Sequence, residues 1–312
     1  MKLNVIIPCL NEEDNVELLH KKISETLTDI DYKLIFINDG STDKTIQKLK
    51  EIFKKDQEHI QVINFSRHFG KDAAIYAGLS HTDAEYSVII DADLQQNPKY
   101  LNIMMDYLDK NGDVDIVAMI NKERKEGIFN KFFKWGFYMF INMISDTKFV
   151  KDVSDFRMFR RNVVEAICKL SENNRFSKGI FSWIGFNTHF MKYKVEDRHS
   201  GKSYFNFWTQ WRYAFRGIIN FSVKPLRIAT VLGFLFALIA FIYMIVILVE
   251  TLIHGSSVPG FPTILTAILF LGGIQLIAIG LLGEYISRTY LEAKKRPIYV
   301  TKSKLGFNED IL

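Results

Sequence analysis

Two long uncharged stretches near the C-terminal end constrain the fold of this chain more than any other feature of its sequence. Ile228–Val249 and Phe261–Gly283 contain no acidic or basic residue, and each is longer than 20 residues. At a rise of about 1.5 Å per residue, about 20 apolar residues in a helix cross a hydrocarbon layer about 30 Å thick. Helices inside soluble proteins are rarely apolar on every side over this length. We therefore predict two transmembrane helices joined by a short linker.

The residues around and within these stretches predict how the pair is arranged. The flanking basic residues are Lys224 and Arg227 before the first stretch, and Arg288 and Lys294–Arg296 after the second. Since basic residues stay on the cytoplasmic side, both chain ends are predicted to be cytoplasmic. We expect a multi-pass protein of the plasma membrane, with a membrane domain at residues 226–285 and a cytoplasmic tail at residues 286–312. Four glycines in the second stretch would allow close helix packing, so a homo-oligomer is left open.

The middle third of the chain is strongly basic. Residues 121–227 hold 21 basic and 9 acidic residues. Two segments within it, Ile128–Ile144 and Tyr204–Phe221, mix Trp, Tyr and Phe with Lys and Arg. This mixture is typical of amphipathic helices in a membrane interface, although core helices can carry such aromatics too. Because membrane stretches follow, we expect one interfacial helix inside an N-terminal domain of residues 1–200 and another at residues 201–225. This interpretation leaves no role for a nucleic-acid partner.

Apolar runs alternate with amphipathic stretches over the first 120 residues. The runs are LNVIIPCL, YKLIFIND, IQVINF, YSVIID and DIVAMI, and the helical candidates are Glu13–Leu27, Ser41–Phe53, Gly70–His81 and Pro98–Lys110. This alternation predicts an α/β domain with a mainly parallel, Rossmann-like sheet and helices on both faces. Such sheets bind ligands at the carboxyl ends of their strands, so the loops there form the predicted site.

Polar residues follow the first three predicted strands, in the segments Pro8–Glu12, Asn38–Asp43 and Ser66–Lys71. In the second segment, glycine permits a sharp turn, and Asp39 stands where a nucleoside could be held. In the third segment, two cations at the entrance of a helix favour a phosphate ligand, although either can instead pair with a nearby acid. These loops therefore predict a nucleotide site.

Two carboxylates, Asp91 and Asp93, follow the fourth predicted strand. In an extended chain, residues i and i+2 face the same side, so both could converge on one cation. Mg²⁺ and Mn²⁺ prefer oxygen ligands and commonly take one or two carboxylates plus substrate phosphates. A D-x-D element alone is also compatible with an ordinary capped strand end. Its place after NDGSTD favours a metal site that carries a nucleotide diphosphate.

Taken together, these motifs resemble the family 2 glycosyltransferases, which have the GT-A fold. The matching elements, in order, are P-x-x-N-E, NDGSTDKT, SRHFGKDAA and DADLQQNP. Two C-terminal spans after a basic segment narrow the resemblance to the polyisoprenyl-phosphate glycosyltransferases, which include bactoprenol glucosyltransferases and dolichol-phosphate mannose synthases. The resemblance covers essentially the whole chain. It implies a GT-A domain on the cytosolic side, interfacial helices and a two-helix transmembrane hairpin.

The resemblance also implies roles for residues that match family motifs. On the donor side, those residues are Pro8, Leu10, Glu12 and Asp39 for the nucleoside, Asp91 and Asp93 for the metal and diphosphate, and Lys71, Ala92 and Gln95 close by. On the acceptor side, they are Asp155 and Arg157 of a D-F-R element, and Arg198, Lys202 and Ser203 of a late R-x-x-G-x-S element. Tyr204 stands where the family usually has Lys, so Lys202 is expected to supply that charge. Catalysis is assigned to Asp155, Asp93 and Arg198.

The activity implied is transfer of a sugar from a nucleotide-sugar, UDP-linked in the favoured case, to a polyprenyl phosphate in the inner leaflet, with Mg²⁺ or Mn²⁺ as cofactor. Glucose and N-acetylglucosamine are the favoured sugars, and the anomeric centre would be inverted. A processive polysaccharide synthase is an alternative, but Gln210–Tyr213 does not have the Q-x-x-R-W spacing that such enzymes use. A non-catalytic membrane scaffold or flippase partner is the alternative from another class.

Overall fold

The structure is a computed structural model of the 312-residue chain. It describes residues 1–121, 153–173, 175–196, 222–254 and 260–307. Both predicted interfacial segments, together with Arg198, Lys202 and Ser203, lie outside the described residues.

Within these ranges, eight strands form one sheet. The strands are β1 Leu3–Cys9, β2 Tyr32–Asn38, β3 Ile60–Phe65, β4 Tyr86–Ile89, β5 Ile116–Asn121, β6 Val153–Arg160, β7 Thr188–Tyr193 and β8 Thr301–Leu305. The helices of the described residues are α1 Val16–Thr26, α2 Thr45–Lys55, α3 Lys71–Leu79, α4 Tyr100–Lys110, α5 Arg161–Lys169, α6 Ser177–Trp183, α7 Lys224–His254 and α8 Phe261–Ala293.

The sheet has the order β7-β5-β6-β4-β1-β2-β3-β8. Its centre, β4-β1-β2-β3, is parallel throughout, which confirms the predicted mainly parallel sheet. Three strands, β6, β7 and β8, were not predicted, and of these β6 inserts between β4 and β5 and runs antiparallel to both. This insertion brings the D-F-R element into the sheet beside the fourth strand.

Helices cover both faces of the sheet, as predicted. Because side chains alternate along a strand, Val5 and Ile7 of β1 pack in a core with α1, α2 and α4, whereas Ile6 packs in the opposite core with α3, α5 and α6. All three side chains are fully buried, and burying each contributes about 1.5–3 kcal/mol. Helix α3 lies very close to the sheet, since a Cβ on Gly78 would be 2.3 Å from Ile6 Cγ2.

The two C-terminal helices are long enough and apolar enough to cross a membrane, over Leu226–Tyr243 and Phe270–Ala293. They present large apolar side chains outward; Phe234 is 70% exposed and Ile277 is 75% exposed. Such a surface is typical of a helix that contacts lipid rather than a soluble core. The hydroxyl of Tyr285 in α8 donates to the carbonyl of Ser222, two residues before α7, at 2.8 Å. The second helix continues ten residues beyond the predicted end at Gly283.

The segment predicted to be a tail contains the eighth strand of the sheet. β8 pairs antiparallel with β3, so that Val62 faces Leu305 and Asn64 faces Ser303. The chain therefore returns from the second long helix to the N-terminal domain. The end of α8 and the start of α7, which lies next to it, are consequently on the side of the N-terminal domain. This strand was not predicted, because TKSKL has four polar residues among five and shows no apolar alternation.

Candidate active site

The loops after β1 and β2 are tied together at the carboxyl edge of the sheet. The Asn11 amide donates to Ser41 Oγ at 3.0 Å, and Asn11 Oδ1 accepts from the Thr42 amide at 2.9 Å. The Glu12 amide donates to Thr45 Oγ1 at 2.9 Å. Asn11 has a φ of 56°, a conformation that Asn tolerates better than most residues. These bonds hold the first two loops as one unit.

This unit positions three of the residues predicted to bind the nucleoside. Pro8 lies at the end of β1 opposite Ile37 and is half-buried. Leu10 is 41% exposed, and its side chain is accessible to a ligand. Glu12 Oε2 accepts a hydrogen bond from Asn15 Nδ2 at 2.6 Å, which fixes the carboxylate at the start of α1.

Asp39, the fourth predicted nucleoside residue, is buried and bonded to the loop after β3. Its carboxylate accepts from the Phe69 amide at 2.7 Å and from the Gly70 amide at 3.0 Å, and lies 2.9 Å from His68 Nδ1. Burial raises the pKa of Asp39, although these donors oppose the shift. Asp39 therefore holds the third loop against the second, a role that the sequence did not predict.

Gly40 makes this close approach possible. Its φ is 69°, and a Cβ at this position would lie 2.4 Å from the backbone atoms Arg67 C and His68 N. A residue with a side chain would therefore be strained in φ and would also push the third loop away.

Asp91 and Asp93 lie in a turn rather than on a strand. β4 ends at Ile89, and Leu94 has a φ of 62°, so the prediction that an extended chain aligns the two acids is wrong. Asp91 Oδ2 instead accepts from Gln96 Nε2 at 2.9 Å, and Gln96 Oε1 accepts from the Asp91 amide at 2.9 Å. Asp93 Oδ1 accepts from the Gln95 amide at 3.2 Å. Gln96 was not predicted, although its position inside DADLQQNP was a signal for it.

The ammonium group of Lys71 bridges two predicted site acids. Its Nζ lies 2.6 Å from Asp91 Oδ1 and 2.9 Å from Asp155 Oδ2. In the antiparallel register of β4 and β6, Ile89 faces Arg157. Two residues further along this register, Asp91 comes opposite Asp155. Lys71 was predicted to meet phosphate, and the alternative that it pairs with a nearby acid is what the structure shows.

Charge at this cluster determines the protonation of its members. Burial would lower the pKa of Lys71, but Asp155 and Asp91 outweigh it and hold the pKa well above its usual value. Burial would raise the pKa of Asp155, but the positive charges of Lys71 and Lys178 outweigh burial and hold this pKa well below its usual range. The pKa of Asp91 is raised by burial and by the neighbouring Asp155 and Asp93 charges, although Lys71 opposes this.

The remaining predicted residues surround this cluster. Arg157 is buried, donates from Nε to the Ser154 carbonyl at 3.1 Å, and stacks its guanidinium 4.9 Å from the ring centre of Phe181. Ala92 is buried between the two acids of the turn. The Gln95 carbonyl accepts from the Glu196 amide at 3.0 Å, which ties the turn to the segment after β7.

The donor set fits a divalent cation that arrives with phosphates. Asp91 and Asp93 supply carboxylate oxygens from one turn, and hydrogen bonds hold both side chains there, from Gln96 Nε2 to Asp91 and from the Gln95 amide to Asp93. Among the residues that the structure describes, no group of three or more His, Cys, Asp or Glu side chains could hold a metal. Two carboxylates plus phosphate oxygens are a common ligand set for Mg²⁺ and Mn²⁺.

Comparison with known proteins places this geometry in a family. Residues 4–168 match glycosyl transferase family 2, and residues 224–289 match the GtrB C-terminal hairpin. CsbB of Bacillus subtilis (strain 168) is 40% identical over 313 residues, covering 99% of this chain and 94% of CsbB.

Two further relatives have more specific names. The bactoprenol glucosyl transferase of Shigella phage SfX is 38% identical over 306 residues, covering 97% of this chain and 100% of its own. The prophage bactoprenol glucosyl transferase homolog of Escherichia coli (strain K12) is 38% identical over 304 residues, covering 97% of this chain and 99% of its own. With its α/β domain, its acid-lined strand ends and its hairpin, the chain belongs to the family 2 glycosyltransferases that have a GtrB-type C-terminal hairpin.

Proposed function

We propose that this glycosyltransferase moves a sugar from a UDP-sugar to a polyprenyl phosphate in the inner leaflet of the plasma membrane. The observation that carries the proposal is the Lys71 bridge between Asp91, in the loop of the donor-side D-x-D element, and Asp155, in the acceptor-side D-F-R element. With these roles, the donor and acceptor halves of the proposed site would lie within one side-chain length of each other. The names of the phage and prophage relatives favour a bactoprenol acceptor and make glucose the first sugar to test.

The donor would lie over the loops after β1, β2 and β3, with its nucleoside near Leu10 and Asp39 and its diphosphate towards Asp91 and Asp93. A divalent cation held by these two acids would neutralise charge on the departing diphosphate. The exposed apolar side chain of Leu10 is suited to contact a base or ribose. The Asp39 carboxylate shapes this pocket through the Phe69 and Gly70 amides.

The acceptor phosphate would approach from the Asp155 side. One of its oxygens attacks the anomeric carbon while the bond from that carbon to UDP breaks, and the electron pair leaves with UDP. A single displacement of this kind inverts the anomeric centre. Since a lipid phosphate is already anionic at neutral pH, it needs no strong base. The low pKa of Asp155 supports this, because a carboxylate held ionised by Lys71 is suited to orienting groups rather than to taking up a proton.

The hairpin would keep the catalytic domain at the cytoplasmic surface of the membrane, where the lipid phosphate lies. Two observations support this orientation. The helices α7 and α8 present apolar side chains outward, and β8 returns the chain to the side of the N-terminal domain. A topology probe, such as cysteine labelling of residues near the helix ends in intact cells, checks the orientation.

The test uses the purified full chain in lipid nanodiscs with UDP-glucose, undecaprenyl phosphate and Mg²⁺. We expect mass spectrometry to detect a glucosyl phospholipid together with free UDP. A screen with other UDP-sugars then identifies the preferred donor. A polymer as product would instead indicate a processive synthase, and the absence of any glycosylated product across the screen would refute the proposal.

A further inference from the structure

Residues 294–307, which we call the return segment, follow α8 and include β8, so they connect α8 to the sheet. We infer that the return segment positions the nucleotide-binding loop after β3, and that Tyr299 is the positioning residue through which it does so. The inference rests on the proposed function in one respect, namely that this loop forms a wall of the UDP-sugar site.

The first observation is that the return segment extends the sheet as far as the loop itself. β8 pairs with β3 from Val62 to Phe65, with a register shift between Asn64 and Phe65. Beyond the end of β3, the amide of Ser66 donates to the Val300 carbonyl at 2.9 Å. Ser66 is the first residue of the loop, so the return segment fixes where the loop begins.

The second observation is a row of aromatic rings that runs from the return segment into the loop. Tyr299 stacks on Phe65 with ring centres 4.8 Å apart and an interplanar angle of 18°. Phe65 in turn meets Phe69 edge to face at 5.6 Å. Tyr299 also makes an edge contact with Tyr76 of α3 at 6.4 Å. Aromatic pairs of this kind contribute beyond the area that they bury.

The third observation is where the row ends. The amides of Phe69 and Gly70 donate to Asp39, and the next residue is Lys71, which bridges Asp91 and Asp155. A shift of the Phe69 ring therefore changes the backbone amides that hold Asp39. The side chain of Tyr299 is thus two ring contacts away from the groups of the site and touches none of them.

The return segment is also attached at its other end. Glu292, in the last turn of α8, accepts the Asn173 amide at 2.9 Å and 3.1 Å through its two carboxylate oxygens. Lys304 Nζ of β8 lies 2.9 Å from His81 Nε2, beyond the end of α3. Gln61 Nε2 donates at 3.0 Å to the carbonyl of Gly306, the residue after β8. Contacts on both sides of Tyr299 therefore fix the return segment to the N-terminal domain.

The test compares Tyr299→Ala with Tyr299→Phe in the full chain in nanodiscs. The structure gives the Tyr299 hydroxyl no hydrogen bond within the described residues, so Phe should keep the stacking and Ala should lose it. Tyr290→Ala is the matched control, since Tyr290 is a 58% exposed aromatic residue of α8 that contacts Lys294 and not the loop. UDP binding by calorimetry, the donor KM, kcat, and amide hydrogen exchange at Phe69 and Gly70 are measured for each.

We expect Tyr299→Ala to weaken UDP binding and raise the donor KM by about tenfold, a range in which residues without ligand contact act on binding. The value of kcat at saturating donor should stay within about twofold, and the Phe69 and Gly70 amides should exchange faster. Tyr299→Phe and Tyr290→Ala should match the wild type. If Tyr299→Ala fails to fold, Tyr299→Leu, which keeps an apolar side chain without a ring, carries the same expectation.

Unchanged amide exchange at Phe69 and Gly70 in Tyr299→Ala would overturn the inference, as would a loss of UDP affinity in Tyr299→Phe equal to that in Tyr299→Ala. These outcomes differ from a failure of the proposed function. In that case, the wild-type protein would bind no UDP, while the exchange measurement would still report whether Tyr299 holds the loop.

Discussion

Asp91, in the turn after β4, and Asp155, in the neighbouring antiparallel strand β6, share the ammonium group of Lys71, at 2.6 Å and 2.9 Å. The two acids are 64 residues apart in the chain, and Lys71 comes from the start of a third element, α3. Two carboxylates so close would repel each other without a shared cation. Lys71 therefore allows a donor-side acid and an acceptor-side acid to stay ionised in one site.

Replacing Lys71 with Met should test whether its ammonium group keeps Asp91 and Asp155 ionised. We expect kcat to fall by roughly 100-fold, because one preorganised charge of the site is lost. The pKa values of Asp155 and Asp91 should rise without the ammonium group, so the acidic limb of the pH–rate profile should move to higher pH. A pH–rate profile of the variant in nanodiscs checks this. A limb that stays in place would show that Lys71 does not set the charge of the two acids.

Asp93→Asn should abolish metal-dependent transfer while leaving the fold intact. Asn keeps the oxygen that accepts the Gln95 amide but removes the negative charge that would bind Mg²⁺ or Mn²⁺. We expect a loss of roughly 100-fold in kcat and a weaker dependence of the rate on metal concentration. The rate measured against Mg²⁺ concentration, before and after chelation, tests this. Asp106→Asn, on the exposed side of α4, is the control, and full activity of Asp93→Asn would exclude the metal role.

Gly40→Ala should destabilise the protein and weaken donor binding together. The added Cβ would clash with Arg67 C and His68 N at 2.4 Å, and the φ of 69° adds strain of about 1–3 kcal/mol. We expect a lower melting temperature and a higher donor KM, measured by thermal unfolding and steady-state kinetics. Gly112→Ala is the matched control, because a Cβ there has no atom within 4 Å. Equal behaviour of the two variants would contradict the proposed loop contact.

Arg198→Ala should lower turnover with little change in stability. Arg198 lies outside the described residues, and the prediction rests on its match to the late R-x-x-G-x-S element. Loss of one charged hydrogen bond to a phosphate corresponds to about 10- to 100-fold in rate. Measuring kcat and the KM for undecaprenyl phosphate in the variant and the wild type, together with thermal unfolding of both, tests this prediction. Unchanged kinetics would mean that this arginine does not contact phosphate.

Much of the fold was predictable because it depends on local patterns. The length of two uncharged stretches identified the hairpin, and alternating apolar runs identified β1 to β5 with their helices. The positions of Asp39, Asp91 and Asp93 at strand ends followed from the same pattern, since parallel strands end at one edge of a sheet. Only the predicted alignment of Asp91 with Asp93 was wrong there, because the strand ends at Ile89 and the chain turns.

The spacing of apolar and polar residues along the chain was enough to predict the two-helix apolar hairpin, the α/β domain and the edge of the sheet at which the candidate site residues gather. The tertiary structure alone decided that β6 lies beside β4, that β8 closes the sheet, that Asp39 holds the loop after β3, and that Lys71 joins Asp91 to Asp155. These contacts depend on strand order and register between segments distant in sequence. No local pattern specifies which distant segments become neighbours.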